Sequence, residues 1–298
     1  MATQNYTFAV PSFTIHNTRA LHKDTDYVSI SLAVAGRQPM TKTRAMGDLN
    51  NGTFYPDLAF DNVPVDDEQA VIFSYLIVNN GHSDPNTVEK ALLQAASVLA
   101  AKAAQAAAAE IGVAIGAALG ASIGTAVVPV IGTALGALSG WLVSEIGTIV
   151  FANCDGPVAA AVHPFTGAQL RAATKNGSTM QTADHHPGTN SPWGCGSNSS
   201  YDVSWTMRRN LPVVYEHADY GGRSQVLDVG RYDVGQLSFG NDMISSVRVP
   251  PGWKVTLYQH AGFQAPIQVL TADTRALPPA YNDQASSIAV EKPGSVPV

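Results

Sequence analysis

Two six-residue stretches of the chain share one pattern, Asn241-Asp242-Met243-Ile244-Ser245-Ser246 and Asn282-Asp283-Gln284-Ala285-Ser286-Ser287. Each Asn-Asp-x-x-Ser-Ser hexad brings a carboxylate, amide and hydroxyl oxygens and backbone carbonyls into one short turn. These are hard oxygen donors, and calcium takes about six to eight of them at about 2.3–2.6 Å. Two hexads acting together can supply what one cannot. Each contains a single carboxylate, so the expected affinity is modest and the main effect of a bound ion is added stability. Other residues suggest chemistry less strongly. Asp24 and Asp26, in the stretch His22-Lys23-Asp24-Thr25-Asp26, could gather oxygens with Asp48 and Asn50, although Asp and Asn are also ordinary turn formers. His185 and His186 are adjacent, with His163 upstream, and read as exposed loop residues. Cys154 and Cys195 lie 41 residues apart in turn-like flanks without a metal-binding spacing, so they are either one structural disulfide or two thiols. No nucleophile elbow, zincin motif or phosphate loop is present, and nothing points to an enzyme.

The hexads close two copies of an internal repeat. The first runs from "VVYEHADYGGRSQVL" to "NDMISSVRV" and the second from "TLYQHAGFQAPIQVL" to "NDQASSIAV". Tyr215, Tyr220 and Gly222 correspond to Tyr258, Phe263 and Ala265. This doubled motif, over residues 213 to 298, resembles the calcium-binding βγ-crystallin domain of the microbial type. The resemblance implies two Greek-key motifs, each with a folded aromatic hairpin, paired into one small β-sandwich. It also implies that each ion is shared between the two motifs. Carried over residue by residue, it implies ligands at Asn241, Asp242, the Met243 carbonyl and Ser245, and at Asn282, Asp283, the Gln284 carbonyl and Ser286. A further backbone oxygen is implied at Glu216 and Gln259, which follow the hairpin aromatics. Ala265 departs from the usual hairpin glycine, so a distorted second hairpin is expected.

Residues 1 to 210 read as an antiparallel β-sandwich. "YVSISLAV" alternates, with Val28, Ile30, Leu32 and Val34 on one face, and "QAVIFSYLIVNNG" is a second strand. "MGDLNNG" and "FDNVPVDDEQ" read as turns. Later, Tyr201, Val203, Trp205 and Met207 share one face. "RRNLP" at 208 to 212 makes a junction to a second domain at 211 to 298.

Between the two groups of strands the period changes. Ser83 or Asp84 can cap a helix with Pro85 in its first turn, and an Ala-rich run follows. The spacing predicts a helical hairpin inserted over about 86 to 150. Glycines recur every fourth residue at Gly112, Gly116, Gly120 and Gly124, and again at Gly132, Gly136 and Gly140, with Pro129 between the runs. No charged residue occurs from Ile111 to Ser144. Four-residue spacing leaves a smooth helical groove that a second helix can approach closely, as in membrane-inserted pairs. An all-apolar helix is buried either in protein or in lipid. The fold class is therefore mixed but mainly β: a sandwich with a Gly/Ala-rich hairpin insertion, then a double Greek key.

Two functions follow. One is a calcium-binding protein with a membrane-active, pore-forming hairpin, of a toxin or defence type, with calcium, lipid membrane and a homo-oligomer as partners. The other is a non-enzymatic structural, stress or binding protein whose hairpin is only core. Of 298 residues 45% are hydrophobic and 13% charged, and the net charge is −6 without a basic stripe, which argues against a nucleic-acid partner. The N-terminus shows no secretion signal, so export by another route or a cytoplasmic location is expected.

Overall fold

The computed structural model describes residues 3–98, 152–175, 179–188 and 194–292. These residues are mainly β, in antiparallel sheets. One sheet holds β1 (Gln4–Asn17), β4 (Gly52–Phe54), β5 (Leu58–Val65), β8 (Thr179–Pro187) and β9 (Ser200–Arg209). Its order is β4-β1-β9-β8, with β5 also paired to β1. The other sheet runs β3 (Met40–Leu49), β2 (Asp24–Val34), β6 (Ala70–Asn79), β7 (Gly156–Thr166). Side chains from both, among them Phe8, Val28, Ile30, Phe73, Val203 and Met207, form one apolar cluster, so the sheets face each other as a sandwich.

Val28, Ile30, Leu32 and Val34 all enter that core, as their alternation requires. The opposite face of the same sheet is buried as well, at Ser29, Ser31, Ile72, Leu76 and Val78. A helix, α1, begins at residue 85 and is described to residue 98. Asp84 caps it, accepting from the Thr87 amide at 3.2 Å. Val88, Leu92 and Ala95 form a buried stripe along it, and the Glu89 carboxylate accepts from the Ala45 amide of β3 at 3.0 Å. The helix is thereby tied to the outer side of this sheet.

Two stretches expected as turns are strands. Met46 to Leu49 continue β3 past Gly47, and "FDNVPV" belongs to β5, with Asn62 at φ 55° relieving the register against β1. A short helix, α2 (Gly167–Ala173), follows β7. It starts in a capping box between Thr166 and Gln169 and packs so closely that a Cβ on Gly167 would fall 2.0 Å from the Asp66 carbonyl oxygen. β6 and β7 are antiparallel neighbours with Asn79 opposite Gly156, so residues 80–155 leave and rejoin the sheet at one place. The spaced glycines from Gly112 to Gly140 and Pro129 lie outside the described residues. Among the described residues no helix is long and apolar enough to cross a membrane.

A second apolar cluster, including Leu211, Val214, Trp253, Leu257 and Ile288, lies in the C-terminal part. Its sheets are β11 (Gly221–Val226), β10 (Val213–His217), β13 (Ser246–Arg248), and β12 (Gly230–Tyr232), β16 (Ser287–Glu291), β14 (Lys254–His260), β15 (Gln264–Leu270), each in that spatial order. The third strand of the first repeat, β12, is thus donated to the sheet of the second. The favour is returned by Thr274, which exchanges backbone hydrogen bonds of 3.0 and 2.8 Å with Val247. This strand exchange is the Greek-key pairing that makes the two repeats one core. Several bonds hold the passage of the chain from β9 to β10. The Asn210 amide donates to the Asn5 carbonyl at 2.8 Å, and Arg209 pairs with Asp228 at 2.6 Å.

Candidate metal centre

Each hexad turns at its second residue. Asp242 and Asp283 take φ 54° and 53°, the left-handed region that Asp tolerates better than most residues. That turn throws the two carboxylates across the pseudo-twofold between the repeats. Asp242 Oδ1 lies 3.2 Å from Ser286 Oγ of the other hexad, and Asp283 Oδ1 lies 3.1 Å from Ser245 Oγ. The backbones cross as well, with the Asp242 amide donating to the Ala285 carbonyl at 3.3 Å and the Asp283 amide to the Ile244 carbonyl at 3.1 Å.

The two serines of each hexad have different duties. The sixth residues, Ser246 and Ser287, donate to the His217 and His260 carbonyls at 2.6 and 2.7 Å and accept from the Tyr220 and Phe263 amides at 3.1 Å each. They lock the aromatic hairpins, where Tyr215 meets Tyr220 at 5.5 Å and Tyr258 meets Phe263 at 5.9 Å between ring centroids. The fifth residues, Ser245 and Ser286, face the opposite Asp. Ser286 Oγ is also 2.7 Å from the Gln259 carbonyl oxygen. One hydroxyl proton is therefore shared among three oxygens, and the remaining lone pairs face one another. A hard cation resolves such a cluster.

The implied ligands are not brought together equally. Asp242, Ser286 and the Gln259 carbonyl converge, and Asp283 and Ser245 converge. Asn241 and Asn282 each donate to the carboxylate of the following Asp, at 2.7 and 2.8 Å, and hold it in place. Met243 packs its side chain against the second core, leaving its backbone for a ligand role. Gln284 Nε2 donates to the Asp283 carbonyl at 3.0 Å. The Glu216 carboxylate is engaged by Arg223 through bonds of 2.7 and 3.0 Å, which pull it down to about 2 and leave only its backbone for a cation. Among the described residues no three His, Cys, Asp or Glu side chains converge on one point, and each centre rests on a single carboxylate.

Ala265 does not distort its hairpin. It takes φ 55°, close to the φ 73° of Gly222, and β15 continues through it. At Gly222 a Cβ would fall 2.8 Å from the His217 ring and 3.0 Å from Glu216 Cβ, so the first copy needs glycine for space as well as for backbone.

The first sandwich departs from expectation at its polar residues. Asp24 and Asp26 are fully buried on the core side of β2, not gathered in a loop. Tyr201 Oη lies 2.7 Å from Asp24 and 2.9 Å from Asp26 and has one proton to give. Burial, and then the neighbouring Asp24, push the Asp26 carboxyl well above the usual carboxylate range. Asp48 is taken by Thr25 at 2.6 Å and by Lys23. The histidine pair is also not a loop. His185 and His186 alternate along β8, His185 outward to Asp202 at 2.6 Å and His186 inward. Inside, Asp184 Oδ2 accepts from Tyr75 Oη at 2.6 Å, His163 Nε2 at 3.0 Å and Trp205 Nε1 at 3.0 Å. His186 Nε2 is 2.6 Å from the same Tyr75 hydroxyl. Since that hydroxyl gives its proton to Asp184, His186 donates to it from Nε2. Burial lowers His186 to about 4. These four strands are thus joined across both sheets by a polar network. Cys154 and Cys195 form a disulfide, with Cα atoms 5.0 Å apart.

No protein-family model matches the chain. Part of it is similar to development-specific protein S of Myxococcus xanthus, with 40% identity over 92 residues, which is 30% of this chain and 50% of that protein. The chain thus spans about half the length of the curated relative it matches. Among solved structures, the N-terminal domain of protein S is 37% identical and wholly covered by 30% of this chain, with a TM-score of 0.27. A βγ-crystallin domain from Flavobacterium johnsoniae is 33% identical and wholly covered by 29% of the chain, with a TM-score of 0.28. One from Clostridium beijerinckii is 32% identical, with 97% of it covered by 27% of this chain and a TM-score of 0.27.

Proposed function

We propose that residues 211–298 form a βγ-crystallin-type calcium-binding domain and that the protein acts by binding, without catalysis. The observation that supports this reading is the reciprocal pairing of Asp242 with Ser286 and Asp283 with Ser245, with the Gln259 carbonyl completing one cluster. Each centre takes its carboxylate from one repeat and its hydroxyl from the other, so an ion at either centre ties the repeats together. Glu216, Asn241, Met243, Asn282 and Gln284 complete the two shells through backbone or amide oxygens. The chemistry supplied is electrostatic cross-linking of a folded domain, with modest affinity from one carboxylate per centre. Calcium titration with thermal unfolding of the whole protein tests it. The melting temperature rises with calcium, and Ser245→Arg with Ser286→Arg removes the rise by placing a cation in each centre. An equal rise in the double variant overturns the assignment.

A second activity is proposed for the insertion: membrane damage by the glycine-spaced hairpin. Its support is the uncharged run from Ile111 to Ser144, which in sequence falls between β6 and β7. The buried stripe of α1 at Val88, Leu92 and Ala95 favours instead a hairpin packed on the sheet. Dye release from liposomes separates them: leakage supports the first, and none at any pH or calcium level the second. A disulfide fits export to an oxidising compartment.

A further inference from the structure

The place where residues 80–155 leave and rejoin the sheet is fastened in two different ways. On the outgoing side the Asn80 amide donates to the Thr25 carbonyl at 2.8 Å, and Asn79 Oδ1 accepts from the Thr25 amide at 2.8 Å. Asn80 Oδ1 accepts from the His82 and Ser83 amides at 3.3 and 3.0 Å. This side is bolted to β2 by backbone and buried amides. The two sides are then joined by the Asn79 amide, which donates to the Cys154 carbonyl at 3.1 Å, and by one buried carboxylate. Asp155 accepts from the Gly81 amide at 3.1 Å and pairs with His82 Nδ1 at 2.9 Å on the outgoing side, and accepts from the Ala152 amide at 2.9 Å on the returning side.

The returning side has a second fastening of another kind. Cys154 is bonded to Cys195 in the connection between β8 and β9, which belongs to the opposite sheet. Cys195 is exposed, and neither cysteine belongs to the apolar core. Both half-cystines hold left-handed backbone, φ 79° at Cys154 and 63° at Cys195, and Asn153 does so at 34°. Such conformations persist in non-glycine residues only where the surroundings impose them. A disulfide that cements a core is buried between strands. This one lies on the surface, on a strained turn, at the root of the excursion. Exposed, strained disulfides are the labile, regulatory kind.

We propose that Cys154–Cys195 is a thiol-controlled fastening of the returning root, opened by a dithiol reductant without loss of the sandwich. A thiolate of the dithiol attacks Sγ of the exposed Cys195, forming a mixed disulfide and expelling the Cys154 thiolate, which takes up a proton. The second thiol of the reductant then closes on the mixed disulfide and releases Cys195 as a thiol. Two electrons pass from the dithiol, which ends as a cyclic disulfide, to the cystine, which ends as two thiols. Asp155 continues to clamp Gly81 and His82 to Ala152, so the root loosens in the reduced state and does not detach.

The test uses the whole protein under native conditions with dithiothreitol, read by mass spectrometry of trapped thiols and by hydrogen exchange. We expect reduction faster than global unfolding. Exchange at the Ala152 to Asp155 amides should rise about tenfold, while β1, β2 and β6 stay protected. Cys154→Ser with Cys195→Ser should reproduce the reduced pattern and be indifferent to dithiothreitol. Resistance to reduction until the protein unfolds would overturn the proposal, as would exchange rising equally through the core strands. Because the readout involves neither calcium nor lipid, its failure leaves both functional readings above unaffected.

Discussion

The inward-facing His186 makes the first sandwich acid-sensitive by an amount that can be worked out. Its ring is buried and donates to Tyr75, and burial outweighs the nearby Asp184 carboxylate in disfavouring the charged form. The unfolded chain binds a proton at about 6.5 and the folded one at about 4, burial being the main cause. A histidine whose folded value is depressed stabilises the fold above its unfolded value and loses that contribution as pH falls towards the folded value. The window is therefore about pH 6.5 down to about pH 4. At about 1.36 kcal/mol per pH unit, the gap corresponds to about 3 kcal/mol. His186→Gln keeps an N–H for Tyr75 and does not titrate. Urea unfolding of both proteins should be measured from neutral pH to pH 4. The wild type should lose about 3 kcal/mol more than the variant across that range. Curves that run parallel would refute the inward, neutral His186.

Other consequences can be checked alongside it. Asp26 has a raised folded value, so the fold favours its protonated form, and stability should fall as pH rises from about 4 towards that value; Asp26→Asn should remove the decline in the same urea series. Ala265→Gly should raise stability by about 1 kcal/mol by relieving left-handed backbone, whereas Gly222→Ala should cost more than that because its Cβ meets His217 and Glu216; thermal unfolding of both variants distinguishes space from backbone. Thr166→Ala should cost about 1 kcal/mol by removing the cap of α2, read by denaturant unfolding.

What the sequence discloses depends on how much the chemistry narrows the choice of residue. The hexads stand out because a left-handed turn, a crossing carboxylate and a hairpin lock admit few residue types. Four identical positions in each six-residue stretch, recurring with paired aromatics, can then be read as one device. The buried acids were readable too, but through period and not through propensity. Asp24, Asp26, Val28 and Ile30 share one face of an alternating strand, and a turn-former's statistics hide that. The same holds for Asp184 and His186, which fall in step with Met180 and Thr182 on β8. Thr166 and Gln169 spell a capping box that marks α2, and no hydrophobic period is long enough to draw attention to it. The tolerance of Ala265 could not be read at all, because it depends on which side chains crowd a Cβ at that point of the hairpin.

The crossing of Asp and Ser between repeats has a thermodynamic consequence that the strand exchange reinforces. β12 is held in the sheet of the second repeat, Thr274 reaches back to Val247 in the first, and each proposed cation centre needs one group from either side. Neither repeat can therefore complete its sheet or its centre alone, and binding free energy at the centres becomes folding free energy of the pair. Asn241 and Asn282 restrain the carboxylates before any ion arrives. Little ordering remains to oppose binding, which is how a centre with one carboxylate can hold calcium at all. The same restraint leaves like oxygens facing one another in the ion-free protein, so the price of a ready-made centre is a domain less stable without its ion than with it.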